Sequence, residues 1–239
     1  MYSYEIAIKR FISLALFTVV LVHVHAAFGW HDKTHLAVAK ASGYDKWFNA
    51  AGADMAKIKA GSIEGYNHYF NNPSNIEITP SLIMKQIDNY NNPRHKEGHL
   101  YGAIIASLRE YKKARDNGKY AEYHLAFCVH YLTDLSQPLH NVPYDDFNRR
   151  YHSANERIVN ENILSDIQKI KKQMYEIRLN PDHFEESLSK EIARIANISR
   201  KLGQSLKKET RTMTKDEAYR QLGHSASLLA AVLVSLGKQ

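Results

Sequence analysis

Apolar residues recur with a helical period along most of this chain, and the stretches between them show no period. Within 97–117 the apolar positions are Leu100, Ile104, Ile105 and Leu108, one stripe of a helix that Asn117-Gly118 should end. Residues 120–136 carry Leu125, Phe127, Cys128, Val129 and Leu132, so a strongly apolar helix is expected there, stopped before Pro138. Helices are also predicted over 32–42, 153–176, 183–207 and 215–236, the last opening at a Thr214 cap. Residues 46–59 form a further candidate, halted by Gly61. Gly, Asn and Pro punctuate 61–92, which reads as loop apart from a short helix around 80–89; 141–151 reads as an irregular loop. Strand patterns are weak throughout. The expected fold is all-α, a single multi-helical domain over 30–239.

The first 29 residues follow another pattern. Lys9 and Arg10 precede an apolar run from Phe11 to Val24, broken only by Ser13, Thr18 and His23, and small residues follow at Ala26, Ala27 and Gly29. That is the layout of a secretory signal peptide over 1–29, with the cut ahead of Trp30; cuts after Ala26 or Ala27 compete with it. A spanning helix needs about 20 apolar residues, which neither this run nor the apolar 228–236 stretch supplies. Export to the periplasm or the medium is therefore expected, with no transmembrane anchor in the mature chain.

Charge and cysteine content change the picture modestly. The full chain carries 32 basic and 25 acidic side chains, and residues 30–239 keep 30 and 24, a net +6. A basic surface suits phosphate-bearing substrates, nucleic acid or lipid head groups, though a merely soluble basic protein has the same balance. Cys128 is the only cysteine, so no internal disulfide is available to an exported protein, and bound metal is one candidate replacement.

Candidate chemistry concentrates near the middle. His130 and Asp134 stand four apart on a predicted helix, so both project from one face. Pro138 ends that helix and can return His140 to the same region, and His152 and Glu156 repeat the four-residue spacing. Imidazole nitrogen with carboxylate oxygen is a donor set that zinc favours. No HExxH occurs, which argues against a zincin-type protease.

The strings "HYLTDLSQPLH" and "YHSANE", preceded by "WHDKTH", "AD" and "NHYF", carry a resemblance. Over 30–163 the chain resembles the zinc-dependent phospholipases C and the related zinc nucleases of single-stranded nucleic acid, and it fills all nine positions of their ordered ligand pattern. The resemblance implies three zinc ions in one cleft. Asp54, His68, His130 and Asp134 would hold one, and His140, His152 and Glu156 a second. The amino terminus and carbonyl of Trp30, with His35 and the other oxygen of Asp134, would hold a third. It further implies phosphodiester hydrolysis by metal-activated water, with Asp54 and Asp134 as the catalytic carboxylates.

The wording of the motif is closer to the bacterial phospholipases, so phospholipid at a membrane surface is the expected substrate. Tyr69 and Asn71 stand where the nucleases place a ring and a carboxylate for a base, and single-stranded nucleic acid is the alternative. Met55 departs from the aromatic residue expected for a choline head group. An exported zinc-binding protein without turnover is the third option, and no stable protein partner is implied. His31, His95, His99, His124, His183 and His224 match no ligand position, and Cys128 is expected to pack in the core.

Overall fold

A computed structural model describes residues 30–238; the expected leader at 1–29 lies outside the described residues, as does residue 239. Ten α-helices occur among them: α1 (Asp32–Ala41), α2 (Gly52–Ala60), α3 (Ser62–Gly65), α4 (Pro80–Gln86), α5 (Leu100–Asp116), α6 (Glu122–Asp134), α7 (Asp146–Arg157), α8 (Ile167–Lys171), α9 (Phe184–Glu209) and α10 (Lys215–Ser235). Turns of 3-10 helix occupy Trp47–Asn49, Ile87–Asn89 and Pro138–Asn141. No described residue is in a strand, so the fold is all-α.

The centre of the molecule is α6. From Leu125 to Asp134 every side chain except Phe127 is buried. It forms a hairpin with α5, turned at Asn117 and at Gly118, whose φ of 67° favours glycine. Helix α10 is apolar on most sides and packs on α1, α6 and α8; the Ser225 hydroxyl donates to the Leu132 carbonyl at 2.6 Å and ties it to the last turn of α6. Helix α9 lies against α4 and the Pro138–Asn141 turn. At Gly203 an added Cβ would sit 2.8 Å from the Pro138 carbonyl oxygen, so a glycine is what lets α9 back that turn. One apolar cluster runs from Trp30 to Leu233.

Several boundaries differ from expectation. The 46–59 candidate splits into the Trp47–Asn49 turn and α2, with Gly61 at φ 55° ending the latter. The stretch 61–92 holds α3 as well as α4. The supposed loop 141–151 contains the start of α7, because the Asp145 side chain accepts from Asn148 N at 3.0 Å and caps the helix. The predicted 153–176 helix stops at Arg157, and turns through 158–166 separate it from the short α8. Thr214 behaves as predicted: it and Glu217 form a reciprocal capping box at the head of α10. No helix among the described residues is long and apolar enough to cross a membrane.

Candidate metal centre

Among the polar side chains that α6 carries into the core are His130 and Asp134, each with no exposed surface. Their spacing brings His130 Nε2 to 3.3 Å from Asp134 Oδ2. The other ring nitrogen, Nδ1, is 2.8 Å from the Ala50 carbonyl oxygen, to which its N–H can donate. That bond leaves Nε2 to face the carboxylates. Asp134 Oδ2 is also 3.1 Å from His68 Nδ1. Asp54, in the first turn of α2, completes this set: Oδ1 is 3.7 Å from His68 Nδ1 and Oδ2 is 3.7 Å from His130 Nε2. Lys57 lies one turn on, its ammonium 2.8 Å from Asp54 Oδ1.

The second oxygen of Asp134 faces different groups. Oδ1 accepts from the Trp30 backbone N–H at 3.3 Å, and it stands 3.5 Å from His35 Nε2 and 3.8 Å from His140 Nδ1. A further set forms between the Pro138–Asn141 turn and α7. There His140 Nε2 is 3.2 Å from His152 Nε2, which is 2.8 Å from Glu156 Oε1. His152 Nδ1 is 2.7 Å from Asn148 Oδ1, an anchor of the same kind as the one Ala50 gives His130. Thus all nine sequence-predicted residues gather around Asp134 or in the neighbouring set. Three triads, His35/His130/Asp134, Asp54/His68/His130 and His140/His152/Glu156, have donor atoms within 4.8 Å of one another and can hold metal ions.

Their electrostatics fit a cation. Burial holds His35, His68 and His140 well below the ordinary imidazole range, in the neutral form that ligates metals. Burial opposes charge on His130 too, but Asp54 and Asp134 outweigh it and raise this imidazole to about 9. Burial lifts the Asp134 carboxyl to about 6 although His130 pulls it down. A proton on His130 and a bound cation would therefore balance the same carboxylates. Both ring nitrogens of His35, His68 Nε2 and His140 Nδ1 are buried without a well-formed hydrogen bond, so each of these rings keeps a nitrogen that a cation could satisfy.

Groups that support these ligands escaped the sequence pattern. Glu64 Oε1 lies 3.4 Å behind His68 Nε2 and accepts from Tyr131 Oη at 2.5 Å; Glu64 Oε2 accepts from Asn67 Nδ2 at 3.0 Å. Burial raises this carboxyl to about 7 against the pull of those two donors. The one signal available was spacing: Glu64 precedes His68 by four residues, as Asn148 precedes His152. The Ala50 carbonyl, being backbone, left none. Within the 141–151 stretch Arg149 pairs with Asp146, and Asp145 with Lys207 at 2.5 Å. Cys128 is buried in the core as expected.

A cavity of about 200 Å³ opens beside His140 and His152, lined also by Tyr69, Asn71, Lys96 and Tyr144. The Asn71 carboxamide oxygen accepts from Tyr144 N at 2.6 Å and fixes one wall. No family model matches the chain, and neither a curated protein nor a solved structure matches it.

Proposed function

We propose that the chain is an exported zinc-dependent phosphodiesterase, processed ahead of Trp30, that acts on phospholipid head groups. The observation that carries this is the convergence of three His/carboxylate triads on and beside one buried carboxylate, Asp134. The nine-position pattern shared with the zinc-dependent phospholipases C and zinc nucleases supplies the metal and the reaction class. Five imidazoles and three carboxylates, with no thiolate, suit zinc. Zinc held there supplies Lewis acidity, which lowers the pKa of a water and offsets phosphate charge.

The chain's own groups divide the remaining work. Asp54, His68, His130 and Asp134 would hold one ion, and His140, His152 and Glu156 a second. His35 and Asp134 would hold a third together with Trp30, whose nitrogen gains a lone pair once the preceding peptide bond is cut. Among the carboxylates Asp54 is the most open, its side chain 14% exposed against 5% for Glu156 and 0% for Asp134. It is the group best placed to take a proton from an attacking water, and Lys57 holds its Oδ1.

Single-strand nuclease activity is the second reading, favoured by the cavity beside His140, where the rings of Tyr69 and Tyr144 offer faces for a base. Assays of zinc-loaded protein on phosphatidylcholine vesicles and on denatured DNA distinguish the two. Cleavage of lipid, lost on chelation and restored by zinc, is expected. Cleavage of DNA alone would reverse the substrate, and full zinc binding with neither activity would leave a zinc-binding protein.

A further inference from the structure

Scattered exposed apolar side chains are ordinary, but here several share one face. Phe48, Met55, Ile58, Tyr120 and Tyr123 are between 48% and 84% exposed. Phe48, Met55, Tyr120 and Tyr123 surround a single shallow groove of about 290 Å³ with Phe127 in its lining. Ile58 continues the face one turn along α2 from Met55.

Two lysines adjoin patch residues along the chain. Lys59 follows Ile58 and Lys119 precedes Tyr120; both are exposed and neither joins an ion pair among the described residues. Of the nearby acids, Glu122 is neutralised by Lys46 at 3.3 Å and Lys238 at 2.6 Å, and Asp116 by Arg115 at 3.4 Å, which leaves Asp45 against the two lysines. Asp54, the most open carboxylate of the metal centre, directly precedes Met55.

We propose that this face docks on an anionic lipid surface and presents head-group phosphates to the adjacent metal centre; the second half rests on the phospholipid reading of that centre. Aliphatic and aromatic side chains enter the acyl boundary, while tyrosine hydroxyls and lysine ammoniums stay at head-group level. A lipid surface meets both the apolar groove and the adjoining lysines. A second copy of the chain, docked through the same face, would set lysines against lysines.

The test is flotation of the processed, zinc-loaded protein with vesicles of phosphatidylcholine and phosphatidylglycerol at about four to one. Ile58→Glu, at the most exposed position, should lower the bound fraction at least about tenfold, and Phe48→Ser/Ile58→Glu/Tyr120→Ser further still. Turnover of soluble bis(4-nitrophenyl) phosphate by Ile58→Glu should stay at the parent rate. The single variant keeps the test open if the triple variant fails to fold, which thermal melting reports. Equal flotation of parent and Ile58→Glu overturns the proposal. So does a parent that ignores vesicles yet forms a dimer that Ile58→Glu disrupts. A parent that floats, with Ile58→Glu losing that binding, sustains docking even if no lipid is cleaved, in which case the phospholipid reading alone falls.

Discussion

At the scale of single residues, Asp134 organises the site. One oxygen serves His68 and His130, while the other faces Trp30 N and His35. Its place was legible in the sequence because a helical i, i+4 pair needs no tertiary information, and the same holds for His152 and Glu156. Glu64 was not legible. It stands four residues before His68 in a stretch whose Gly and Asn content reads as loop; Asn67 is a local partner, but only the fold brings Tyr131 to its other oxygen. Glu64→Gln keeps the size of the side chain but removes the carboxylate behind His68 Nε2. The expected result is metal affinity lower by about 10-fold, at the mild end of what such outer partners contribute, with the helical content unchanged. Competition with a chromophoric chelator measures it. Unaltered affinity would reduce Glu64 to a space-filling role.

Among the elements, legibility followed the strength of the local stop signals. Asn117-Gly118, Gly61 and Thr214 each end or start a helix where the sequence says, since their backbone and capping preferences act without help from the rest of the fold. Where several Asn and Asp lie close together, as over 141–166, caps and turns look alike, so α7 was displaced and its C-terminal extension overestimated. The irregular stretch that follows α8 is pinned by α9 and α10. Tyr175 N donates to Ser227 Oγ at 2.9 Å, Arg194 Nη2 donates to Tyr175 Oη at 2.7 Å, and that hydroxyl lies 2.9 Å from His224 Nδ1. Burial, and then the charges of Arg194 and Arg220, lower His224 from 6.5 to about 4. As the pH falls through 6.5, the unfolded chain therefore takes this proton first and the folded chain only near 4. Stability drops across that window and not above it. His224→Gln should narrow the drop, so the melting temperatures of parent and variant converge, or cross in the variant's favour, as the pH goes from 7 to about 4.5. Parallel curves would show that His224 is not a source of acid sensitivity.

For the whole molecule, the question is what ties its far-apart segments together when Cys128 is the only thiol. The nine candidate ligands come from Trp30, α1, α2, the stretch after α3, α6, the Pro138–Asn141 turn and α7, so ions held there would cross-link segments all the way from residue 30 to residue 156. Metal bound to the folded form alone stabilises it by mass action, and a chelator should lower the melting temperature. Trp30 gives this coupling a sharper form. Its side chain is buried and its nitrogen lies 3.3 Å from Asp134 Oδ1. As an amide, that nitrogen can only donate its hydrogen to the carboxylate; as a free amine it can share a lone pair with a cation beside His35. Protein that begins at Trp30 should therefore carry one more metal ion per chain than protein with a single extra residue in front. Both should keep the ions at Asp54/His68/His130 and at His140/His152/Glu156. Elemental analysis after exhaustive dialysis gives the count, and the extended protein should also melt at a lower temperature. Equal metal content in the two would remove the N-terminal ligand from the site while leaving the other triads standing.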